Sequence, residues 1–213
     1  MTRLRDLLRA YPVLHFRERA HLIVRWRLAP LRQIAALVPH SGLILDLGCG
    51  HGLFALLLAR QSAARSVIGI DLDAEKIRLA ETLKVEQLRF VCGDIAAQTD
   101  LPPAQAVTIL DVFYLIPFAA QEALLRGAAA RLAPGGMIIL KEMAEAPRWK
   151  VWLNWLEETL AVKVLRITLG GDFYFRPRAE WVRLLESYGL TVRVQPMDRG
   201  YYHPHVVFIA HKP

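Results

Sequence analysis

The feature that most restricts this chain is the run Leu45-Asp46-Leu47-Gly48-Cys49-Gly50-His51-Gly52-Leu53-Phe54, where three glycines alternate with side chains between two apolar stretches. Glycine carries a backbone through a sharp turn and lets a ligand lie against bare main chain at the start of a helix. The residues before the glycines, 43–47, read as a buried strand; those after, 53–59, are apolar without a turn residue and read as a helix. Strand, glycine turn and helix in that order are the opening unit of an open α/β sheet with a nucleotide-like ligand.

The alternation continues along the chain. Residues 66–70 form a β-branched run followed by a helix over 74–83, with Asp73 as its N-cap. Residues 88–92, 106–110 and 137–140 read as further strands, the last following a turn at Pro134-Gly135-Gly136, with a helix over 119–132 before it. Such alternation predicts a doubly wound parallel sheet covered on both faces, with right-handed crossovers. Residues 190–194 and 205–210 are strands with no helix between them, so they are expected to pair antiparallel at the sheet edge.

Carboxylates follow three successive strands. Asp46 ends the first and suits a ligand with a positive amino group; a dinucleotide fits less well, because Leu53 stands where that loop requires glycine. Asp71 closes the second strand, 19 residues after Gly52, where a carboxylate can accept from both hydroxyls of a ribose, with Leu72 beside it. Asp94 follows the third in Cys92-Gly93-Asp94-Ile95, placed to accept from an adenine amine. Taken singly, each aspartate could equally cap a helix or close a turn.

In order and spacing, Asp46-x-Gly48-x-Gly50-x-Gly52, Asp71, Gly93-Asp94, Asp111 and Leu132-Ala133-Pro134-Gly135-Gly136 resemble the successive motifs of class I S-adenosylmethionine-dependent methyltransferases, over about residues 40 to 142. The resemblance implies a Rossmann-like seven-stranded sheet ordered 3-2-1-4-5-7-6 and S-adenosylmethionine as cofactor. It places Asp46 at the methionine amine, Asp71 on the ribose and Asp94 at the adenine, with Cys49, Leu72, Gly93, Ile95 and Asp111 also in the cofactor site. Asp111-Val112-Phe113-Tyr114-Leu115-Ile116-Pro117 departs from the Asn/Asp-Pro-Pro-Tyr/Phe run of members that methylate exocyclic base or glutamine amides, which makes such acceptors less expected.

The sulfonium is already activated, so the protein chiefly has to align a nucleophile and exclude water. A hydroxyl or phenol acceptor calls for a general base, for which Glu142, His203 and His205 are the candidates; the histidines could also be ordinary solvated loop residues. Residues 147–181 hold four of the five tryptophans, Trp149, Trp152, Trp155 and Trp181, close to Phe173, Tyr174 and Phe175. With Tyr114 and Tyr202, the residues Trp149, Trp152 and Phe173 are the candidate substrate contacts, in a lid over a small hydrophobic, lipid-like or carrier-bound acceptor. The same rings could instead complete the core of a C-terminal cap. RNA or protein methylation, and cofactor binding without transfer, are the other readings.

Charge is concentrated at one end. Residues 1–32 carry eight arginines against Asp6 and Glu18, so they hold +6 of the net +7. Pro12, Pro30 and Pro39 divide this basic segment, 1–39, into two or three short helices ahead of a methyltransferase domain over 40–213, the whole forming one globular unit. Leu4, Leu7 and Leu8 line one helix and Val13, Phe16, Ala20, Ile23 and Val24 another, among the arginines. Such a segment can rest on anionic lipid or dock an acidic carrier; nucleic acid ranks lower without a companion RNA-binding module. It could also be a plain solvated face over the cofactor site. With no apolar run near ~18 to 20 residues and no secretory signal pattern, the expected location is cytoplasmic, with peripheral attachment at a membrane open through the arginines. Cys49 and Cys92 lack the companions of a zinc site and are expected to be reduced thiols.

Overall fold

The computed structural model describes residues 3–94, 101–143, 173–197, 199–201 and 204–213. The basic segment forms three helices, α1 (Leu4–Leu8), α2 (Phe16–Leu28) and α3 (Leu31–Ala35), broken at Pro12 and Pro30. Then come β1 (Gly42–Leu47), α4 (Leu53–Gln61), β2 (Arg65–Asp71), α5 (Ala74–Ala80), β3 (Leu88–Cys92) and β4 (Ala104–Leu110). After them follow α6 (Phe118–Ala130), β5 (Leu132–Met143), α7 (Arg178–Ser187), β6 (Thr191–Pro196) and β7 (His205–His211).

The strands make one sheet in the order β3-β2-β1-β4-β5-β7-β6, as the motif order implied. β1 to β5 run parallel, and β7 runs antiparallel to both β5 and β6. The antiparallel pair is only half at the edge, because β7 is interior and β6 alone is exposed along one side. Burial follows position: β4 and β7 are covered on both faces, whereas the outer β3 and β6 are only partly covered. β5 starts five residues earlier than the pattern of residues 137–140 suggests. Leu132 pairs with Ala104, and a register shift between Ala104 and Ala106 absorbs the Pro134-Gly135-Gly136 turn.

Alternation along the strands sorts the core into two layers. Ile44, Ala106, Ile139 and Val207 face α1 to α5, while Leu45, Val107, Leu140 and Phe208 face α6 and α7. Helix α4 is buried along Leu53 to Ala59, apolar on every side, so it needs a covering on its outer flank as well as the sheet. Leu7, Leu22, Leu31 and Ile34 supply it from α1, α2 and α3, each burial worth roughly 1.5 to 3 kcal/mol. The basic segment thus shares its core with the sheet.

Arg65 ties the two together. Fully buried at the start of β2, its guanidinium donates to the carbonyls of Ala35, Pro39, Leu58 and Val38 and to Gln61 Oε1, and so supplies donors to carbonyls left near the ends of α3 and α4.

Candidate functional site

The glycine turn is held by the second strand. Gly48 and Cys49 donate their N–H groups to the Ile70 carbonyl, and Gly50 donates to Asp71 Oδ2 at 2.7 Å. Asp71 Oδ1 accepts the Asp73 N–H at 2.9 Å, and Asp73 caps α5 by accepting from Glu75 and Lys76. Asp71 therefore already braces two loops, a task the sequence did not show, and each oxygen keeps a second lone pair for a ligand hydroxyl.

The glycines divide in purpose. A Cβ at Gly48 would stand 2.2 Å from the Val112 side chain, and one at Gly52 would stand 2.7 Å from the Phe90 ring, both with positive φ. The missing side chains there make room for protein packing. Gly50 differs, since a Cβ there would meet only Arg25 Nη1 at 3.6 Å and Lys76 Cδ at 4.0 Å. Between them Cys49 is buried, and burial beside Asp46 and Asp71 pushes its thiol up, which leaves it protonated and inert. Cys49 and Cys92 are both free thiols.

Asp46 is 2% exposed on the α2-side face of β1. Its Oδ1 accepts the Thr108 hydroxyl at 2.7 Å, and its Oδ2 has no hydrogen-bond partner among the described residues. Burial pushes this carboxyl up to about 6, against the pull of Thr108 and Arg25. Arg25, from α2, reaches the same rim: its Nη2 donates to the Leu110 carbonyl at 3.4 Å, and its buried Nε has no partner among the described residues. A buried carboxylate with a spare oxygen and a guanidinium with a spare N–H, both at one glycine turn, fit the ammonium and carboxylate of an α-amino acid. The chain thus has the donor set for the methionine end of S-adenosylmethionine.

The loop is closed from the N-terminal side. The buried Tyr11 hydroxyl donates to the His51 carbonyl at 2.8 Å, and burial pushes its phenol well up. His21 of α2 and His51 lie with ring centroids 5.2 Å apart. Burial, with Arg25 and Lys76 nearby, lowers them to about 3 and about 4, so both rings are neutral at pH 7.

A second polar group sits at the ends of β4, β5 and β7. Asp111 has φ 61 and is ion-paired with Lys141, which is itself almost wholly buried. Aspartate tolerates that left-handed backbone better than most residues. Burial alone would raise the Asp111 carboxyl, but Lys141, Arg25 and then His205 hold it below the usual carboxylate range. The Asp111 side chain is thus already engaged by Lys141. His205, 4% exposed, donates its Nε2 proton to the Leu28 carbonyl at the end of α2, 2.7 Å away.

Glu142 is the neighbour of Lys141 and lies on the other face. Strand alternation puts Lys141 with Ile139 on the α2 side and Glu142 with Leu140 on the α6–α7 side, next to Phe113. Glu142 and His205, two alternatives in the sequence, are therefore separated by the sheet. Burial first, and then Asp111, pushes Glu142 up to about 8, and its Oε1 has no partner among the described residues. Burial thus favours its protonated form, and it lies on the face away from Asp46 and His205.

Beyond β4, Tyr114 stacks on Phe175 at 6.0 Å and 7°, with Phe173 6.0 Å from Tyr114, so the two candidate substrate contacts Tyr114 and Phe173 do come together. Gln121, fully buried, holds them by donating to the carbonyls of Phe113, Ile116 and Tyr174. Trp181 is 2% exposed and stacked on Phe113, so it belongs to the core and not to a lid. Leu72 is 69% exposed beside Asp71, Gly93 donates to the Asp71 carbonyl, and Asp94 is exposed just after it. Ile95, Trp149, Trp152, Trp155, Tyr202 and His203 lie outside the described residues. No group of three or more potential metal ligands occurs among the described residues.

Arg25, Thr108, Lys141 and Gln121 escaped sequence reading. Arg25 was one arginine among eight, and its link to Leu110 spans 85 positions. Parity along each strand was the one signal available for Thr108 and Lys141.

Comparison with known proteins agrees with this geometry. A family model described as a methyltransferase domain matches residues 15–195. Trans-aconitate 2-methyltransferase of Rhizobium meliloti is 34% identical over 119 residues, 54% of this chain and 44% of that protein. Ubiquinone biosynthesis O-methyltransferase of Aeromonas salmonicida is 30% identical over 158 residues, 70% of this chain and 63% of that protein. The chain spans about half the length of the first curated relatives it matches. In structure it resembles magnesium protoporphyrin IX methyltransferase of Synechocystis with bound S-adenosylhomocysteine, with TM-score 0.69 and 18% identity over 98% of this chain and 94% of that one. Human N-acetylserotonin methyltransferase in complex with S-adenosylmethionine gives TM-score 0.67 and 19% identity over 99% of this chain and 56% of that one. With the motif order, the sheet order and the family match in agreement, the chain belongs to the class I S-adenosylmethionine-dependent methyltransferases.

Proposed function

We propose that this protein methylates a hydroxyl or phenol oxygen on a small, largely apolar acceptor, with His205 as general base. The observation that carries the reading is the placement of His205: a buried imidazole at the carboxyl edge, beside Asp111 and on the same sheet face as Asp46. Donation from Nε2 to the Leu28 carbonyl makes Nδ1 the basic nitrogen of the neutral ring, the tautomer that a general base at Nδ1 needs. Lys141 and Arg25 keep Asp111 ionised, and that fixed negative charge favours the imidazolium formed in the step. Tyr114, Phe173 and Phe175 offer an apolar wall for the acceptor. The name of the Aeromonas relative, an O-methyltransferase, points the same way.

In this reading Asp46 Oδ2 accepts from the methionine ammonium and Arg25 binds its carboxylate. Asp71 uses its remaining lone pairs on the ribose, and Leu72 and Asp94 meet the adenine ring and amine. The bound cofactor supplies an electrophilic methyl group on a sulfonium sulfur; the side chains hold it, align the acceptor and exclude water.

The test is labelled-methyl transfer to cell extract fractionated into lipid, small metabolites, RNA and protein. Label in lipid or small metabolites is expected, and label confined to RNA or protein overturns the acceptor class. With the acceptor identified, His205→Gln keeps a donor for Leu28 and should lower kcat by about 10² to 10⁴ while S-adenosylhomocysteine affinity holds. A kcat within twofold of the parent would move the base elsewhere.

A further inference from the structure

Four of the seven exposed large hydrophobic side chains among the described residues lie between positions 13 and 28: Val13, Phe16, Val24 and Leu28, with Phe16 at 85% exposed. Three of them are on α2 at helical spacing. Positions 16, 20, 24, 27 and 28 share one flank, with Arg17 beside them, so that flank presents Phe16, Val24 and Leu28 together with the exposed Arg17 and Arg27. The opposite flank is the buried one, carrying Leu22 into the core and Arg25 to the cofactor rim. One helix thus has a side turned to the core and the cofactor rim and an outward side that is apolar and cationic, with no side-chain carboxylate or amide on it.

We propose that this outward face of α2 rests on an anionic lipid surface, its apolar side chains in the headgroup boundary and its arginines among the phosphates. The chemistry selects that occupant. A protein partner is ordinarily met by a rim of mixed donors and acceptors, and nucleic acid offers little to an exposed Phe16, Val24 and Leu28. A bilayer with acidic headgroups offers what the face can use, anions above and hydrocarbon beneath. The +6 carried by residues 1–32, against +1 in the rest of the chain, directs the approach of this end toward such a surface. Contact is at the surface: no helix among the described residues is long and apolar enough to cross a membrane.

The consequence is positional. The Leu28 carbonyl engages His205, and Arg25 engages the Leu110 carbonyl, so the site lies on the far flank of the docked helix, about one helix diameter, ~10 to 12 Å, from the headgroups. An apolar acceptor held in the bilayer would enter from that side.

Sedimentation of the full chain with vesicles tests this directly, comparing phosphatidylcholine alone with phosphatidylcholine containing about 30% phosphatidylglycerol at ~0.1 M salt. Binding is expected to the anionic vesicles and at least about tenfold weaker to the neutral ones. Arg17→Gln with Arg27→Gln removes two charges and should weaken anionic binding by about thirtyfold; Phe16→Ser with Val24→Ser should weaken it by about tenfold or more. Unchanged S-adenosylhomocysteine binding in both variants shows that the fold and the cofactor rim are intact. No sedimentation with anionic vesicles overturns the proposal, as does sedimentation that neither variant weakens. Retention on an immobilised acidic carrier protein, lost in the same variants without any vesicle binding, would also overturn it and give the face to a protein.

Discussion

The two faces of the sheet meet the same carboxyl edge and do different things there. Toward α2 the strands present Asp46, Thr108, Lys141 and His205, joined by Arg25 from the helix itself. Toward α6 and α7 they present Glu142 beside Phe113 and Trp181, with Gln121 binding the loops together. The first face is charged with spare bonding capacity; the second is dry, with its polar groups engaged or neutral. Residues adjacent in sequence, such as Lys141 and Glu142, are thereby assigned opposite tasks by a two-residue period.

The sharpest way to break this comparison is to remove one charge from each side. Arg25→Met takes away the guanidinium facing Gly50 and should weaken S-adenosylhomocysteine binding by about hundredfold, the scale of one charge-assisted interaction. Glu142→Gln on the other face should leave that affinity within about twofold. Calorimetric titration of both variants decides it: equal losses would mean that the faces are not separated in function.

A second variant probes the dry face for what it does contribute. Gln121→Leu takes a donor from the carbonyls of Phe113, Ile116 and Tyr174 and an acceptor from the Arg176 Nε. Several buried groups lose a bond while apolar volume is retained, so a destabilisation of about 2 kcal/mol is expected in urea unfolding. Cofactor affinity of the folded fraction should not move. A fall in affinity comparable to that of Arg25→Met would show that the loop over Tyr114 shapes the cofactor site too.

How much of this was legible depends on how local the signal is. The alternation of strands and helices could be read because each strand, turn and helix is written in consecutive residues, and the glycine turn marks where the series starts; the order of the strands in the sheet came with the family resemblance. Asp46 and Asp71 stood out for the same reason. Arg25 did not, because only a folded chain brings α2 over Leu110, and nothing in its neighbourhood distinguishes it from Arg17 or Arg27. The dual use of Asp71 was hidden too, since a carboxylate that braces Gly50 and one that awaits a ribose look alike in sequence. For Glu142 the sequence reports a carboxylate at a strand end, not the desolvation that pushes its carboxyl up.

The smallest effect separates the faces by pH. On the α2 face His21 and His51 are lowered to about 3 and about 4 from an ordinary 6.5. Between about pH 6.5 and 4 the unfolded chain takes up protons that these buried rings refuse, so their contribution is whole above 6.5 and is lost as pH falls. Glu142 is raised to about 8 from 4.5. Its folded form keeps a proton that the unfolded chain releases above 4.5, so its contribution is whole below 4.5 and is lost as pH rises to about 8. Each group can tilt the stability curve by at most about 1.4 kcal/mol per pH unit, and water reaching the partly open histidines reduces their share. Asp46, on the α2 face and raised to about 6 from 3.8, works against the histidines between about pH 4 and 6. Urea midpoints followed from pH 4 to 9 should therefore stay nearly level in acid and fall between about pH 6.5 and 8, an arm that belongs to Glu142. Glu142→Gln should flatten that arm, and His51→Asn should leave it while letting the midpoints rise toward acid. Should His51→Asn flatten the alkaline arm as well, the groups are coupled through the sheet, and the division between a charged face and a dry one fails.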